Sequence, residues 1–475
     1  MAKHNNETHH QESTPCSIAA RRLNKRTFLK GIAGLIVAIT LGFLGFFQKL
    51  GRKGNGNHTV SNAGLAHAGN NVTQQYPLGV GPDGRSRVYL AQGDTPENNM
   101  AAILDALGGI EQFIGPEDII ILKPNSQWWA QGMTNTNTMK AFMETVLAIP
   151  GFSGEIIIAD NHQFAEPNSR GWTTEERNGD FNYNELVAHF QDRGHPNVTK
   201  YHWRGAGPNP NPIEGDDQLG SKIVKGPGEG DGYVWSRDIV YTSSLGRRCL
   251  LTWPVFTSAY SGVTIDFKNG AWKDGAYIDQ PVKFINFSAI NHHGPYVGAT
   301  ASIKNYMGIV DMTCGFHGST PDGYYNTHFI GLRDLRLPLQ DKYPWRVRNW
   351  INQYNWQYFE HTGGVLGTFM REVRIADLNI ITAHWVGWGS RTQKELSGYP
   401  RAILASRDPV ALDYTACREI LLPMTRNNND YIWHDGLMKL NDPTQKDQPL
   451  YRFIEKCHEE GIGNIMPRKI DLVAV

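Results

Sequence analysis

Several signatures of common catalytic and cofactor sites are missing from this 475-residue chain. It has no Gly-rich phosphate-binding loop, which argues against a nucleotide site of that kind. It has no Gly-x-Ser-x-Gly motif, so no nucleophile elbow is indicated. It has neither a His-Glu-x-x-His nor a His-x-His motif to support a metal centre. The function must therefore be sought in less familiar groupings of residues.

Closely spaced cysteines and an excess of one charge are also absent. The five cysteines, at positions 16, 249, 314, 417 and 457, include no Cys-x-x-Cys pair, which argues against a four-cysteine iron–sulfur cluster. The sequence does not decide whether any of them form disulfides. The 46 basic and 46 acidic residues balance. No basic stripe is present, so we do not expect nucleic acid as a partner.

The N-terminal part has the pattern of an export signal. Residues 1–30 form a basic leader in which positions 25–30 read Lys-Arg-Thr-Phe-Leu-Lys, a near-match to the twin-arginine motif. The apolar segment 31–47 and the spacer 48–84 follow. Cleavage and retention as a membrane anchor are both open, since the apolar run is short for a membrane span. We expect the remainder to lie outside the cytoplasmic membrane, with the export machinery as a partner.

Residues 85–475 alternate apolar strand patterns with amphipathic helix patterns. This alternation predicts an α/β fold, with a doubly wound, mainly parallel sheet and helices on both faces. Short runs at 118–122 and 155–159, apolar after their first residue, are typical of buried parallel strands. Large loop insertions are expected at about 205–280 and 315–375, with a Gly- and Pro-rich surface loop over 205–232 and a Trp-rich helix over 344–359.

Polar residues follow five predicted strands at the point where each strand ends. Doubly wound sheets bind ligands at the carboxyl ends of their strands, so these residues are expected to line one cleft. The five segments are 123–126, 160–162, 291–294, 383–384 and 406–409.

We expect this cleft to bind a small anionic molecule. Lys123 supplies positive charge, and the helix that starts after Thr134 offers free N–H groups. Ordinary N-capping explains the Thr and Asn residues there equally well. The candidate ligand-binding residues are Lys123, Asn125, Thr134, Asn135, Thr136, Asn305, Ser406 and Asp408.

Proton transfer in the same cleft is expected from carboxylate, imidazole and amine groups. The candidate catalytic residues are Asp160, His162, His293 and Lys304. A metal site is a competing interpretation, with Asp160 and the histidines at 292, 293, 317 and 384 as donors. We assign no metal ligands and leave the cofactor unknown.

Several short motifs, taken in their order, resemble the uncharacterised-domain family numbered 362. They are the segments 123–125, 134–138, 158–160, 303–308, 404–413 and 460–463. The resemblance implies a match over most of 85–475 and places family motifs on Lys123, Asn125, Lys304, Asn305, Asp408 and Asp413. The family has no settled activity, so these residues carry over without roles. Its members fused to ferredoxin-like domains hint at redox chemistry, but this chain lacks the cluster cysteines.

Three hypotheses follow from the sequence. The first is an exported α/β protein that binds a small anionic ligand or cofactor, with redox or acid–base chemistry if it is an enzyme. The second is a membrane-anchored binding or assembly protein whose aromatic insertions form a partner surface. The third is a His/Asp metalloprotein. Close placement of Lys123 and Lys304 would favour the first.

Overall fold

The computed structural model describes residues 76–161, 170–203, 222–312, 323–325, 327, 330 and 356–475. Several sequence predictions lie outside these residues. They are the leader and apolar segment, His162, Cys314, His317 and the Trp-rich helix up to residue 355. No helix within the described residues is long and apolar enough to cross a membrane.

Two sheets organise the described residues. Their strands are β1 (Ser86–Gln92), β2 (Ile119–Lys123), β3 (Glu155–Asn161), β4 (Val198–Trp203), β5 (Lys222–Val224), β6 (Gly232–Thr242), β7 (Arg248–Thr257), β8 (Thr264–Asp266), β9 (Gly270–Lys273), β10 (Ala276–Tyr277), β11 (Val282–Gly294), β12 (Gly298–Thr300), β13 (Leu378–Gly387), β14 (Ala402–Ser406) and β15 (Ile470–Ala474).

Four of the described helices begin at residues whose side chains cap them. Thr95, Asn135, Asn182 and Asp408 each accept a backbone N–H at a helix start. The helices are α1 (Pro96–Ala106), α2 (Thr136–Leu147), α3 (Tyr183–Gln191), α4 (Ser302–Asn305), α5 (Trp356–Glu372), α6 (Pro409–Ala416), α7 (Leu422–Arg426), α8 (His434–Asn441) and α9 (Pro449–Glu459). A π-helical turn, Cys417–Leu421, joins α6 to α7.

The central sheet is mostly parallel, as the sequence predicts. Its order is β15-β1-β14-β13-β11-β2-β3-β4, and β12 pairs with β11. Strands β13, β11, β2, β3 and β4 run in one direction, whereas β14 is antiparallel to both of its neighbours. The carboxyl end of β14 therefore lies at the opposite edge from those of β2 and β3. The expectation that all five predicted strand ends share one edge is wrong for this strand.

Both faces of the central sheet are covered by other elements. Alternate residues of its strands point to opposite faces, so each strand contributes side chains to both layers. Ile120 and Ile156 pack with residues of α1, α2 and α3, such as Phe142. Ile121 and Ile157 pack on the other side with the second sheet and with α5, α6 and α9. The predicted α/β architecture with helices on both faces is confirmed.

The insertion at 205–280 contains a second sheet. Six strands pair there in the order β10-β9-β8-β7-β6-β5. Trp253, Phe256 and Phe267 bury this sheet against the central one. Within the described residues, the surface loop predicted over 205–232 contains one short strand, β5, and long-range pairing and aromatic burial order the rest of the insertion as strands.

Candidate functional site

Two charged side chains at the ends of neighbouring strands form a buried ion pair. Lys123 Nζ, at the end of β2, lies 3.1 Å from Asp160 Oδ1, near the end of β3. Nζ also donates to the Pro124 carbonyl oxygen at 2.7 Å and to Asn305 Oδ1 at 3.0 Å. These three acceptors match the three N–H bonds of an ammonium group. Burial lowers the pKa of Lys123 despite the opposing effect of Asp160.

Neighbouring groups hold Asp160 in place. Its Oδ2 accepts the backbone N–H and the hydroxyl of Ser126 at 2.9 and 2.8 Å, and its Oδ1 accepts the backbone N–H of Asn161 at 2.8 Å. A Cβ on Gly308 would lie 2.0 Å from Asp160 Oδ1 and 2.3 Å from Lys123 Nζ. Protein atoms therefore enclose the pair, and its contacts are those of a structural element.

Buried amides extend this network across the sheet. Asn305 Nδ2 donates to Asn286 Oδ1 at 2.7 Å, and Asn286 Nδ2 donates to Asn379 Oδ1 at 2.9 Å. Ser302 Oγ also donates to Asn379 Oδ1, at 3.0 Å. Asn305 is thus a link between Lys123 and strands β11 and β13, and its side-chain groups are occupied by protein.

The short helix α4 is fixed by a carboxylate from α6. Asp413 accepts the backbone N–H groups of Ser302 at 2.7 Å and Ile303 at 3.1 Å. Burial raises the pKa of Asp413 to about 8. Because Lys304 is the next residue along α4, Asp413 fixes the backbone position from which the Lys304 side chain extends.

Lys304 is a buried amine without a carboxylate partner among the described residues. The residue is 7% exposed, and among the residues that the structure describes its Nζ has only the Met307 sulfur within hydrogen-bonding distance. Burial, together with the charges of Arg391 and Lys123, lowers its pKa to about 7. Lys123 and Lys304 are therefore close enough to interact electrostatically, which is the placement that favours the anion hypothesis.

A second cation that has no carboxylate partner in the described part of the chain, Arg391, interacts with Lys304. Its guanidinium stacks 4.5 Å from the centre of the Trp128 ring, and its Nη1 lies 2.6 Å from His293 Nδ1. Burial lowers the pKa of Arg391 to about 10. The predicted catalytic residue His293 also contacts Thr300 Oγ1 through Nδ1, at 2.6 Å.

Sequence reasoning missed Arg391 because β13 was expected to end near residue 382. The strand continues to Gly387, and the turn beyond it brings Arg391 over Trp128. The polar segment that follows the true end of the strand was the available signal.

The helix start at α2 does not offer its N–H groups to a ligand. The backbone N–H groups of Thr134, Asn135 and Thr136 donate to the Tyr183 hydroxyl, Thr382 Oγ1 and the Asn178 carbonyl at 3.0, 3.1 and 2.8 Å. Asn135 Oδ1 caps the helix by accepting the Thr138 N–H. These expected anion-binding residues are structural, because neighbouring segments consume the donors.

Asn125 differs from these residues in the hydrogen bonding of its side chain. Its backbone N–H donates to Thr134 Oγ1 at 2.8 Å and its carbonyl accepts the Tyr183 hydroxyl. The Asn125 side-chain amide makes no hydrogen bond within the described part of the chain. It remains a neutral donor near the Lys123–Lys304 region.

Ser406 and Asp408 do not join the cleft, because β14 is antiparallel. Asp408 Oδ1 caps α6 through the N–H groups of Val410 and Ala411, both at 2.9 Å. Its Oδ2 accepts the Ser86 hydroxyl and the Asn464 N–H. Ser406 Oγ donates to the Arg87 carbonyl oxygen at 2.7 Å. Both residues tie β14 and α6 to β1.

The described residues contain no group of three His, Cys, Asp or Glu side chains placed to hold a metal ion. His292 is held neutral, since Nδ1 contacts Asn441 Oδ1 at 2.6 Å while Nε2 accepts the Gly294 N–H at 3.1 Å. Burial lowers the pKa of His292 to about 4. Cys249, Cys417 and Cys457 are buried free thiols.

A cavity of about 280 Å³ lies at the other edge of the sheet, where β11 and β13 begin. It is lined in part by Phe113, Lys283, Asp377 and Arg407. Lys283 Nζ lies 4.0 Å from Asp118 Oδ2, and the exposed Arg407 stacks 4.9 Å from the centre of the Phe113 ring. The Lys304–Arg391 region differs from this cavity, because in the described residues neither the buried Lys304 nor the half-buried Arg391 has a carboxylate partner.

The segment from β8 to the π-helical turn carries Lys304, Arg391 and Asp413. Residues 264–418 match the model of a family described as a domain of unknown function, DUF362. This supports the resemblance seen in the motifs, over a narrower span than 85–475. No curated protein and no solved structure matches the chain. The DUF362 segment excludes Lys123 and Asp160, which contact it through Asn305 and Gly308.

Proposed function

We propose that the protein binds a small anion between the amine of Lys304 and the guanidinium of Arg391. The observation that carries this proposal is the presence of a buried amine, Lys304, that interacts with a half-buried guanidinium, Arg391, where neither has a carboxylate partner in the described residues. An unpaired buried charge is unfavourable by several kcal/mol, and a second charge of the same sign adds repulsion. An anion between them would offset both effects.

The proposed ligand carries a carboxylate or a phosphate group. The planar guanidinium of Arg391 can form two parallel hydrogen bonds to such a group. Stacking on Trp128 restrains the guanidinium, so less conformational entropy is lost on binding. The Asn125 amide supplies a neutral donor for a further oxygen of the ligand.

We propose that Lys304 performs any acid–base chemistry at this site. A pKa of about 7 leaves both the amine and the ammonium populated at neutral pH. Asp160 is less suited, because Lys123, Ser126 and Asn161 already bond its carboxylate. Its contribution is to neutralise Lys123, which leaves Lys304 as the reactive amine.

Binding can be tested by calorimetric titration of the full-length protein with phosphate, sulfate and oxalate. Arg391→Gln should abolish binding, whereas Arg407→Gln should leave it unchanged. The two arginines form a matched pair, since both stack on an aromatic ring. The proposal would be refuted if neither the natural protein nor Arg407→Gln bound any of these anions. It would also be refuted if Arg391→Gln and Arg407→Gln bound them equally.

The pH dependence provides a second arm of this test. Raising the pH from 6.5 to 8.5 takes Lys304 from mostly charged to mostly neutral. Affinity for a simple anion should therefore fall by about tenfold or more. Lys304→Arg should bind with little dependence on pH over this range, because arginine stays charged.

The proposed location is outside the cytoplasmic membrane, by the twin-arginine route. The support is the Lys-Arg-Thr-Phe-Leu-Lys motif and the apolar run that follows it. A reporter that matures only after export, fused to the C-terminus, tests the route. Arg26→Lys should block its maturation. Unchanged maturation would indicate a general secretory signal, and no maturation of the unaltered fusion would contradict export.

A further inference from the structure

The two lysines at the carboxyl edge of the sheet differ in what their amines can do. Lys123 is 1% exposed and bonds three oxygen acceptors. Lys304 is 7% exposed and bonds no oxygen within the described residues. The lone pair of a neutral amine is free for reaction only when neighbouring groups do not hold it as an ammonium ion. The geometry therefore singles out Lys304 as a nucleophile.

The surroundings of Lys304 favour this role over a purely electrostatic one. Ile303 and Tyr306 beside it are fully buried, and its nearest polar contact is a thioether. No carboxylate of the described segments stabilises the ammonium form, whereas Arg391 and Lys123 both disfavour it. Desolvation beside another cation is a general means of activating a lysine amine.

A guanidinium next to a free amine fits a ligand with two functional groups. We propose that Lys304 forms an imine with the carbonyl group of a 2-oxo carboxylate whose carboxylate group is held by Arg391. This inference rests on the proposed anion site and names the substrate class for it. The carboxylate adjoins the carbonyl carbon in such compounds, so one molecule presents an anionic group for Arg391 and an electrophilic carbon for Lys304.

The reaction is balanced without any oxidant or reductant. The lone pair of Nζ forms the C–N bond, and the carbonyl oxygen receives the electron pair of the C=O π bond and a proton. The resulting carbinolamine loses this oxygen as water after a second protonation, while nitrogen gives up its two protons. The products are one imine and one water molecule. The lowered pKa of Lys304, about 7, supplies neutral amine at physiological pH.

Borohydride trapping tests the inference directly. The full-length protein is incubated with pyruvate or glyoxylate, reduced with borohydride and analysed by intact mass and peptide mapping. The expected result is one reduced adduct at Lys304, which disappears in Lys304→Arg. Acetone, which lacks the carboxylate, should give at least tenfold less adduct at the same concentration. Adducts spread over exposed lysines such as Lys394, or none at Lys304, would overturn the inference.

The outcomes separate this inference from the anion proposal. Lys304→Arg keeps the positive charge and should still bind oxalate in the calorimetric titration. Oxalate binding without any trapped adduct would leave the anion site standing and reject the imine. Failure of both experiments would reject the proposed function itself. Arg391→Gln should reduce trapping of pyruvate by tenfold or more, and by a clearly larger factor than it reduces trapping of acetone, because only pyruvate carries the carboxylate that Arg391 binds.

Discussion

Replacing Lys304 by methionine should stabilise the protein at neutral pH. Methionine keeps an unbranched side chain of similar length and removes the buried charge. Lowering the pKa from 10.5 to about 7 corresponds to ~5 kcal/mol of unfavourable free energy when the amine is charged in both states. The free energy of unfolding of Lys304→Met should therefore exceed that of the natural protein at pH 6 by several kcal/mol.

The pH dependence of this difference carries the sharper test. Between pH 7 and 10.5 the unfolded lysine is protonated while the folded one is neutral, so the unfolded state binds more protons. The stability of the natural protein then rises with pH, and the advantage of Lys304→Met shrinks. From pH 7.5 to 9.5 the advantage should fall by about 2–3 kcal/mol.

Urea unfolding followed by tryptophan fluorescence measures this difference at each pH, without added anions. Other titrating groups are common to both proteins, so they cancel in the comparison. Lys268→Met is a useful control, because Lys268 is half-buried but lies near Asp266 and Glu372. Parallel pH profiles for Lys304→Met and the natural protein would refute the assignment of Lys304 as an unpaired buried amine.

Three further predictions concern the buried network. Asp160→Asn should lower stability by about 3–5 kcal/mol in urea unfolding, because Lys123 is left buried and unpaired, and adding Lys123→Met should restore much of the loss; no rescue would contradict the pairing. Gly308→Ala should lower the free energy of unfolding by more than 2 kcal/mol, since its Cβ would lie 2.0 Å from Asp160 Oδ1. The control Gly436→Ala, where no atom lies within 4 Å of the new Cβ, should be neutral or stabilising. Equal effects of the two substitutions would argue against close packing at Gly308. Because the pKa of Asp413 is raised to about 8, the folded state retains a proton that the unfolded state loses above pH 4. The stability of the natural protein relative to Asp413→Asn should therefore fall as pH rises from 4 to 8. A constant difference between the two proteins over that range would contradict the raised pKa.

Local sequence patterns were sufficient for most of the elements. Short apolar runs identified β2 and β3, and Asp408-Pro409 marked the start of α6. Order along the chain does not specify strand direction, however. The antiparallel pairing of β14 moved Ser406 and Asp408 to the opposite edge of the sheet. The second sheet was missed because its strands find their partners only through long-range pairing.

The candidate site, too, was predicted only in part from the sequence. The sequence by itself placed Lys123 and Asp160 at the ends of neighbouring strands, because parallel strands bring their carboxyl ends to one edge. It named Lys304 and Asn305 as candidates but did not determine that they lie beside these two residues. Only the tertiary structure decided how these charges are compensated. Asp160 neutralises Lys123, the caps at α2 consume their own donors, and Lys304 lies beside Arg391 without a counterion in the described residues. Burial and pairing depend on atoms brought together from distant segments, so the same residue type becomes a structural cation at one position and an unpaired amine at the other.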